Sequence, residues 1–455
     1  MVRANRPLRF ALVAALLALP GMAQAQGNQP SQALQSLPPM APAPQSVTLA
    51  QALQRSEQVS PTVVQSANSI RSAELQVRTA KWRFVPQLSF TPQASLLMSS
   101  GDSRLDPVTG EVISGNSSNP NYGFNVTATL PIFDGFIRNY DLKAARARED
   151  AATSTLVSTK FTNTLNVTNT FLTVLADKRL LAVDSTAVLS AEQQYNVAVA
   201  KLRAGSGSIS DSLSALVSLN NAKFTMLGHQ NTLATDEAQL GRAIGADGRV
   251  GAVDDPAYYQ LPAAIDTLSL RRDARASSPQ LRAAQATLEA LRQATKSNKA
   301  QYFPNLSISV GDNFTANKQS DYSLKGRKSL NLGLTITPWT NFARETQIEN
   351  AQIQVENQQA SLLDQQHQID ANLTAQFAAI SNAQAQIQLS ETSATAAETN
   401  LRVVTARYGQ GVATITELLQ AQTNLTQAQV NAVQARYAYL RAKVQIESIL
   451  GRSLP

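Results

Sequence analysis

Widely separated stretches of this 455-residue chain repeat one another. "SPTVVQSANSIRSAELQVRTAKWRFVPQLSF" from Ser60 aligns with "SPQLRAAQATLEALRQATKSNKAQYFPNLSI" from Ser278. "ATLPIFDGFIR" from Ala128 aligns with "TITPWTNFAR" from Thr335, and "KLRAGSGSISDSLSA" from Lys201 with "RYGQGVATITELLQA" from Arg407. The three matches occur in the same order, prolines and glycines fall into register, and a single length change lies between Pro86 and Pro131. Chance similarity between Ala/Gln-rich helices would not align those punctuating residues, so the chain reads as an internal duplication. Any fold must therefore be built from two copies of one layout: helix, Pro, strand, loop, strand, Pro, very long helix, Gly-containing turn, helix. The first repeat spans 47–244, with a β-hairpin at 87–130 and a turn at 205–211. The second spans 266–455, with a hairpin at 305–337 and a turn at 411–417. Between them, 245–265 reads as a solvated linker, because its Asp254-Asp255 pair lacks the ligand spacing of a calcium loop.

The strands are marked by strict two-residue alternation. Tyr122, Phe124, Val126, Ala128 and Leu130 alternate with Gly123, Asn125, Thr127 and Thr129. Leu88 and Phe90, Leu306 and Ile308, and Leu332 and Leu334 alternate in the same way with Ser, Thr, Asn, Gln or Gly, Pro92 being a blemish. Each run has the length a tilted strand needs to cross a bilayer, although alternation alone suits a half-buried soluble sheet equally well. Two features favour lipid. The polar positions are neutral throughout these runs, as suits a wet lumen. Aromatics make up only 5% of the chain, yet they gather where strands meet helices: Trp82, Phe84, Phe133 and Phe136 in one repeat, Tyr302, Phe303, Trp339 and Phe342 in the other. Such clustering suits an interfacial girdle. The expectation is that Leu88, Phe90, Phe124, Val126, Leu306, Ile308, Leu332 and Leu334 face lipid and that Pro131 ends its ladder. Four strands cannot close a membrane barrel, and an open edge in lipid leaves backbone groups unpaired, so this reading requires several copies of the chain.

From about 135 to 204, and again from 343 to 408, there is no proline and no strand-like run. Leu362, Ile369, Leu373, Ile380 and Ile387 recur at spacings of a helix–helix seam. Helices of this length reach about 100 Å and must project away from the strands. Gly205 and Gly411 supply the stop. Ser208 with Asp211, and Thr414 with Glu417, follow the capping-box pattern that restarts a helix.

The first residues place Arg3, Arg6 and Arg9 before the apolar run "FALVAALLAL" and a small-residue "AQA" at 23–25, the pattern of a secretory signal cleaved near Ala25. Residues 26–46 are Pro- and Gln-rich and read as a flexible lead-in. The formal charge of +7 includes those three arginines, too small a surplus to argue for nucleic acid. The chain has no cysteine, which excludes disulfides, thiolate metal sites and a lipid anchor on an N-terminal cysteine. Its two histidines, His229 and His367, are far apart, and each is expected to be solvated or capping rather than a metal ligand. There is no cofactor motif and no nucleophile–base set; "GSGS" at 205–208 lacks the lysine and preceding strand of a phosphate loop. Catalysis is not expected.

The duplicated "LPIFDG"-like strand exit, "SPQL…FPNLSIS" and the twin turns "AGSGSISDSL" and "GQGVATITELLQAQ" together resemble the TolC-type outer-membrane efflux and secretion channels, over nearly all of the chain beyond the leader. The resemblance implies a mainly α fold with a membrane β-barrel: a homotrimer with four strands per chain in one twelve-stranded barrel, and long antiparallel helices forming a periplasmic α-barrel. It implies a passive exit duct that sits in the outer membrane and extends into the periplasm, carrying substrate across both from an inner-membrane pump or secretion ATPase and its periplasmic adaptor (membrane fusion) protein. The turns at Gly205, Ser208, Gly411 and Thr414 would meet the adaptor. Glu417 sits where an acidic ring narrows the entrance, and Asp211 and Tyr408 match positions that can hydrogen-bond across neighbouring helices. Gln420 and Ala413 stand where some members carry a second acid and a latch arginine. The alternative is a periplasmic coiled-coil scaffold or adaptor that forms no pore. The cargo, whether drugs, metals or secreted protein, is not written in the sequence.

Overall fold

Each long proline-free stretch becomes one unbroken helix. The computed structural model describes residues 45–99, 101, 104–113, 117–259, 267–316 and 321–452. The signal segment and nearly all of the 26–46 lead-in lie outside the described residues. The element order is β1 (Gln45–Val47), α1 (Leu49–Val59), α2 (Pro61–Trp82), β2 (Gln87–Ser99), β3 (Arg104–Leu105), β4 (Val112–Ile113), β5 (Ser117–Phe133), α3 (Ile137–Arg203) and α4 (Ile209–Ala243). Then come β6 (Val250–Ala252), a 3-10 turn (Pro256–Tyr259), α5 (Thr267–Ser277), α6 (Pro279–Ala300), β7 (Asn305–Ala316), β8 (Lys325–Thr335), α7 (Ala343–Gly409) and α8 (Ile415–Leu450).

Both long helices, α3 and α7, contain 67 residues, about 100 Å at the helical rise. They start in the same unusual way. Gly135 and Phe136 have φ of 68° and 70°, and Asn341 and Phe342 have 51° and 62°. Two successive left-handed residues swing the chain from strand into helix, a conformation unfavourable for a side chain as large as Phe. Ahead of each hairpin the sequence suggests one helix, but there are two, α1 with α2 and α5 with α6. Pro61 and Pro279 each open the second as its first residue, where the missing N–H costs nothing.

The strands form one antiparallel sheet in the order β2-β5-β7-β8. Its register pairs Gln87 with Thr129, Thr129 with Ser309, and Ser309 with Asn331. Odd positions thus lie beside odd positions across the whole sheet, which acquires one apolar and one polar face. Pro131 does not end the ladder. It pairs with Ser307, and after a bulge Phe133 pairs with Leu306. Pairing with β2 stops at Thr129, so the proline's missing donor falls beyond the end of that ladder. The bulge also re-aims Phe133 onto the apolar face.

The linker is not simply a solvated connection. Val250, Gly251 and Ala252 are buried, and β6 pairs in parallel with β1. Val250 and Ala252 join Val47, Phe171, Val174, Leu240 and Tyr437 in one core beside the middle of α3. A second core gathers Ile369, Leu373, Ile380 and Ile387 of α7 against α5, α6 and α8, so the seam read from the sequence is present. His229 departs from its expected solvated or capping role: its Nδ1 contacts Oδ2 of Asp184, which is almost fully buried. His367 is exposed.

Candidate gate at the helical turns and the membrane sheet

The two turns at the far ends of the long helices are built alike. At the end of α3, Gly205 takes φ 75°, and the Ser206 N–H donates to Lys201 O. At the end of α7, Gly411 takes φ 78°, and the Val412 N–H donates to Arg407 O. These are glycine C-caps that satisfy the last carbonyls. The restarts differ. Thr414 and Glu417 form a full reciprocal capping box: the Glu417 N–H donates to Thr414 Oγ1 at 3.2 Å, and the Thr414 N–H to Glu417 Oε2 at 3.3 Å. Ser208 Oγ instead accepts from the Ser210 N–H, and Asp211 does not close a box. Asp211 keeps its carboxylate in the first turn of α4, where the helix dipole favours it, without being tied down as Glu417 is.

Beneath the turns lies a third core of Ala198, Ala215, Val404, Tyr408, Ala413, Ile415 and Leu418. Tyr408 is 5% exposed. Burial pushes its phenol above the ordinary range, and the Asp211 carboxylate adds to the shift. Among the described residues Asp211 and Tyr408 share no hydrogen bond within the chain. The group that holds Tyr408 is Lys201: its ammonium donates to Tyr408 O and lies 4.0 Å from the centre of the tyrosine ring. This contact ties the end of α3 to the end of α7, with Ala413 packed in the core between the turns. Sequence reading missed Lys201, although the duplication aligns it with Arg407, a cation at the end of both long helices. Glu417 and Gln420 are exposed, and Gln420 bonds Asn424 one turn along.

At the opposite end of the helices lies the sheet, whose outer strand β8 is exposed along its whole length. Leu88, Phe90, Leu332 and Leu334 are each more than 60% exposed, while Phe124 stacks between Phe90 and Phe314, 4.6 Å from the latter. Both outer strands, β2 and β8, have an unpaired edge. Aromatics gather at the strand–helix junctions. Phe133 packs edge-on to Phe136 at 5.6 Å, and Trp339 to Phe342 at 5.3 Å. Arg138 lies over Phe84, and Arg344 over Tyr302 at 3.7 Å. Trp82 and Phe303 stand exposed beside them. Among the described residues no helix is long and apolar enough to cross a membrane, and no His/Cys/Asp/Glu group could hold a metal.

Comparison with known proteins points in one direction. A family model described as outer membrane efflux protein matches residues 48–246 and 270–452, covering both repeats and leaving out the linker. Protein CyaE of Bordetella pertussis is 27% identical over 381 residues, which span 80% of this chain and 75% of that protein. In fold the chain is similar to the outer membrane protein VceC of Vibrio cholerae, with a TM-score of 0.73 at 16% identity, covering 90% of this chain and 97% of that one. It is also similar to the open state of the MtrE outer membrane channel of Neisseria gonorrhoeae, with a TM-score of 0.73 at 15% identity, covering 89% of each chain. The CmeC outer membrane channel of Campylobacter jejuni gives a TM-score of 0.76 at 12% identity, over 89% of this chain and 85% of that one.

Proposed function

The chain belongs to the outer membrane efflux protein family, and on that footing we propose how this particular sequence builds and gates its duct. It is an outer-membrane exit duct of the efflux and secretion class, and its work is conduction rather than catalysis. Family members are trimeric channels that work with adaptors and inner-membrane pumps.

Three copies of this chain form the conducting unit. The observation that carries this is a four-stranded sheet with both edges unpaired and an exposed apolar face. In hydrocarbon every open backbone group is costly, so β8 of one copy pairs with β2 of the next until the ring closes. Leu88, Phe90, Phe124, Val126, Leu306, Ile308, Leu332 and Leu334 then meet outer-membrane lipid, and Trp82, Phe84, Phe133, Tyr302, Phe303 and Trp339 the periplasmic headgroup level. The leader is removed near Ala25, and the absence of cysteine leaves no site for a lipid anchor.

The helical turns are the periplasmic entrance. Gly205, Ser208, Gly411 and Thr414 shape the surface offered to the adaptor protein. Glu417, repeated around the ring, makes the entrance narrow and anionic, with Asp211 and Tyr408 forming the latch region beside it. The family's description supports an efflux duct, and a secretion duct is the second reading. A pull-down through cross-links placed in the two turns tells them apart by recovering either a secretion ATPase complex or a proton-driven pump complex.

Because the chain contains no cysteine, closure can be tested directly. A panel of engineered pairs, one residue on β2 and one on β8, is oxidised in isolated outer membranes. Covalent trimers are the expected product. Processed, uncrosslinked monomer in a soluble periplasmic pool would instead identify a scaffold that forms no pore.

A further inference from the structure

Charged residues in the sheet are few, and strand parity sorts them by face. On the polar face, the odd positions of Gln87–Ser95, Asn121–Thr129, Asn305–Thr315 and Ser329–Thr335 are Ser, Thr, Asn, Gln or Gly throughout. The only charges that join them are Lys325 and Arg327, the two outermost polar-face positions of β8. They stand opposite Thr315 and Asn313, so no carboxylate faces them across the ladder. Among the described residues neither makes an ion pair. A third cation, Lys328, points to the other face, directly opposite Asp312, so the charges on the lipid side balance one another. Among the acids near this end, Asp106 accepts the Val108 N–H within its own turn, Glu111 lies just before β4, and Asp321 lies in the turn before β8 at φ 48°.

We infer that Lys325 and Arg327 form a cationic collar inside the outer mouth of the duct, which favours anionic solutes and acidic stretches of cargo at the exit. The inference rests on the closed-barrel reading above, in which three chains bring six such cations to one rim. Twelve tilted strands enclose a tube about 24 Å across between backbones. Long cationic side chains then come within about 8 Å of a passing ion, one Debye length at physiological salt. Six charges at that distance, each screened once, enrich a monovalent anion roughly sevenfold.

The test uses the purified full-length protein in planar bilayers, with polyglutamate added to each side in turn. Wild type is expected to be blocked from the side of the strand loops, with the block relieved by salt. In the double variant Lys325→Gln/Arg327→Gln, the half-blocking concentration should rise about sevenfold or more. Should the double variant fail to assemble into trimers, each single variant carries the test at about threefold. Equal block of wild type and variants, or equal block of wild type from both sides, would overturn the collar. Wild-type protein that forms no conducting pore would instead overturn the closed-barrel reading.

Discussion

Replacing Lys201 with Met keeps the length of the side chain and removes its charge. Two interactions are lost: a charged hydrogen bond to Tyr408 O and a cation–π contact at 4.0 Å. The first is worth about 1.5–3 kcal/mol and the second about 0.5–2 kcal/mol. Because Lys201 is only half-buried, the lower ends apply, about 2 kcal/mol per chain. If the three Lys201–Tyr408 contacts of a trimer break together on opening, the closed state loses about 6 kcal/mol, enough to turn a 1:99 equilibrium into its reverse. If they open independently, each opens about thirtyfold more often. Single-channel recording of the purified protein distinguishes these cases by open probability and by the number of sub-conductance levels. Lys201→Arg should restore the wild-type trace. Tyr408→Phe should leave it nearly unchanged, since Lys201 engages the carbonyl and the ring rather than the phenol oxygen. The reasoning fails if Lys201→Met conducts like wild type, or if Tyr408→Phe opens the channel as fully as Lys201→Met. The second result would assign the latch to the Tyr408 hydroxyl and a neighbouring helix.

Glu417→Gln keeps the capping partner of Thr414 but removes the charge; it should lower cation preference in reversal-potential measurements with little change in melting temperature, whereas Glu417→Ala should also lose about 1 kcal/mol of helix stability. Burial pushes the Asp177 carboxyl up to about 7, and the adjacent Asp236 carboxylate adds to this, against His229 and Arg441. The folded chain therefore holds this proton where the unfolded chain has released it, and stability contributed by the site falls as pH rises from about 4 to about 7. Circular-dichroism melts across that range should show the decline, and Asp177→Asn should flatten it. At Gly135, with φ of 68°, an added Cβ would lie 2.6 Å from Ala300 O and from Phe303 Cβ. Gly135→Ala should accordingly destabilise the strand–helix junction by about 3 kcal/mol or more, read as a lower melting temperature.

The features legible in the sequence were those with a period or a punctuating residue. Absence of proline marked α3 and α7, alternation marked the strands, and Gly205 and Gly411 marked the turns. The pairing of β1 with β6 was not legible, because two three-residue runs, one at the start of the first repeat and one in the linker after it, have no period to detect. Pro131 looked like a terminator because a proline's tolerance depends on which neighbouring strand has already ended. Lys201 was invisible for a related reason: its partners are a main-chain carbonyl and a ring 207 residues away, and no local pattern announces such a contact. The pairing of His229 with Asp184 likewise depends on how α4 lies against α3.

The hairpins of the two repeats differ in length, yet α3 and α7 have the same number of residues. Both start at a strand exit and finish at a glycine turn, so they act as paired rulers between the same two planes. Loops beyond the membrane can lengthen in one repeat alone, as the first hairpin has done, because nothing downstream measures them. A turn of helix added to α3 but not α7 would carry Lys201 about 5 Å past Tyr408. Adapting such a duct to a wider periplasm therefore requires insertions of equal length in both long helices, matched in turn by the helices that return from the tip.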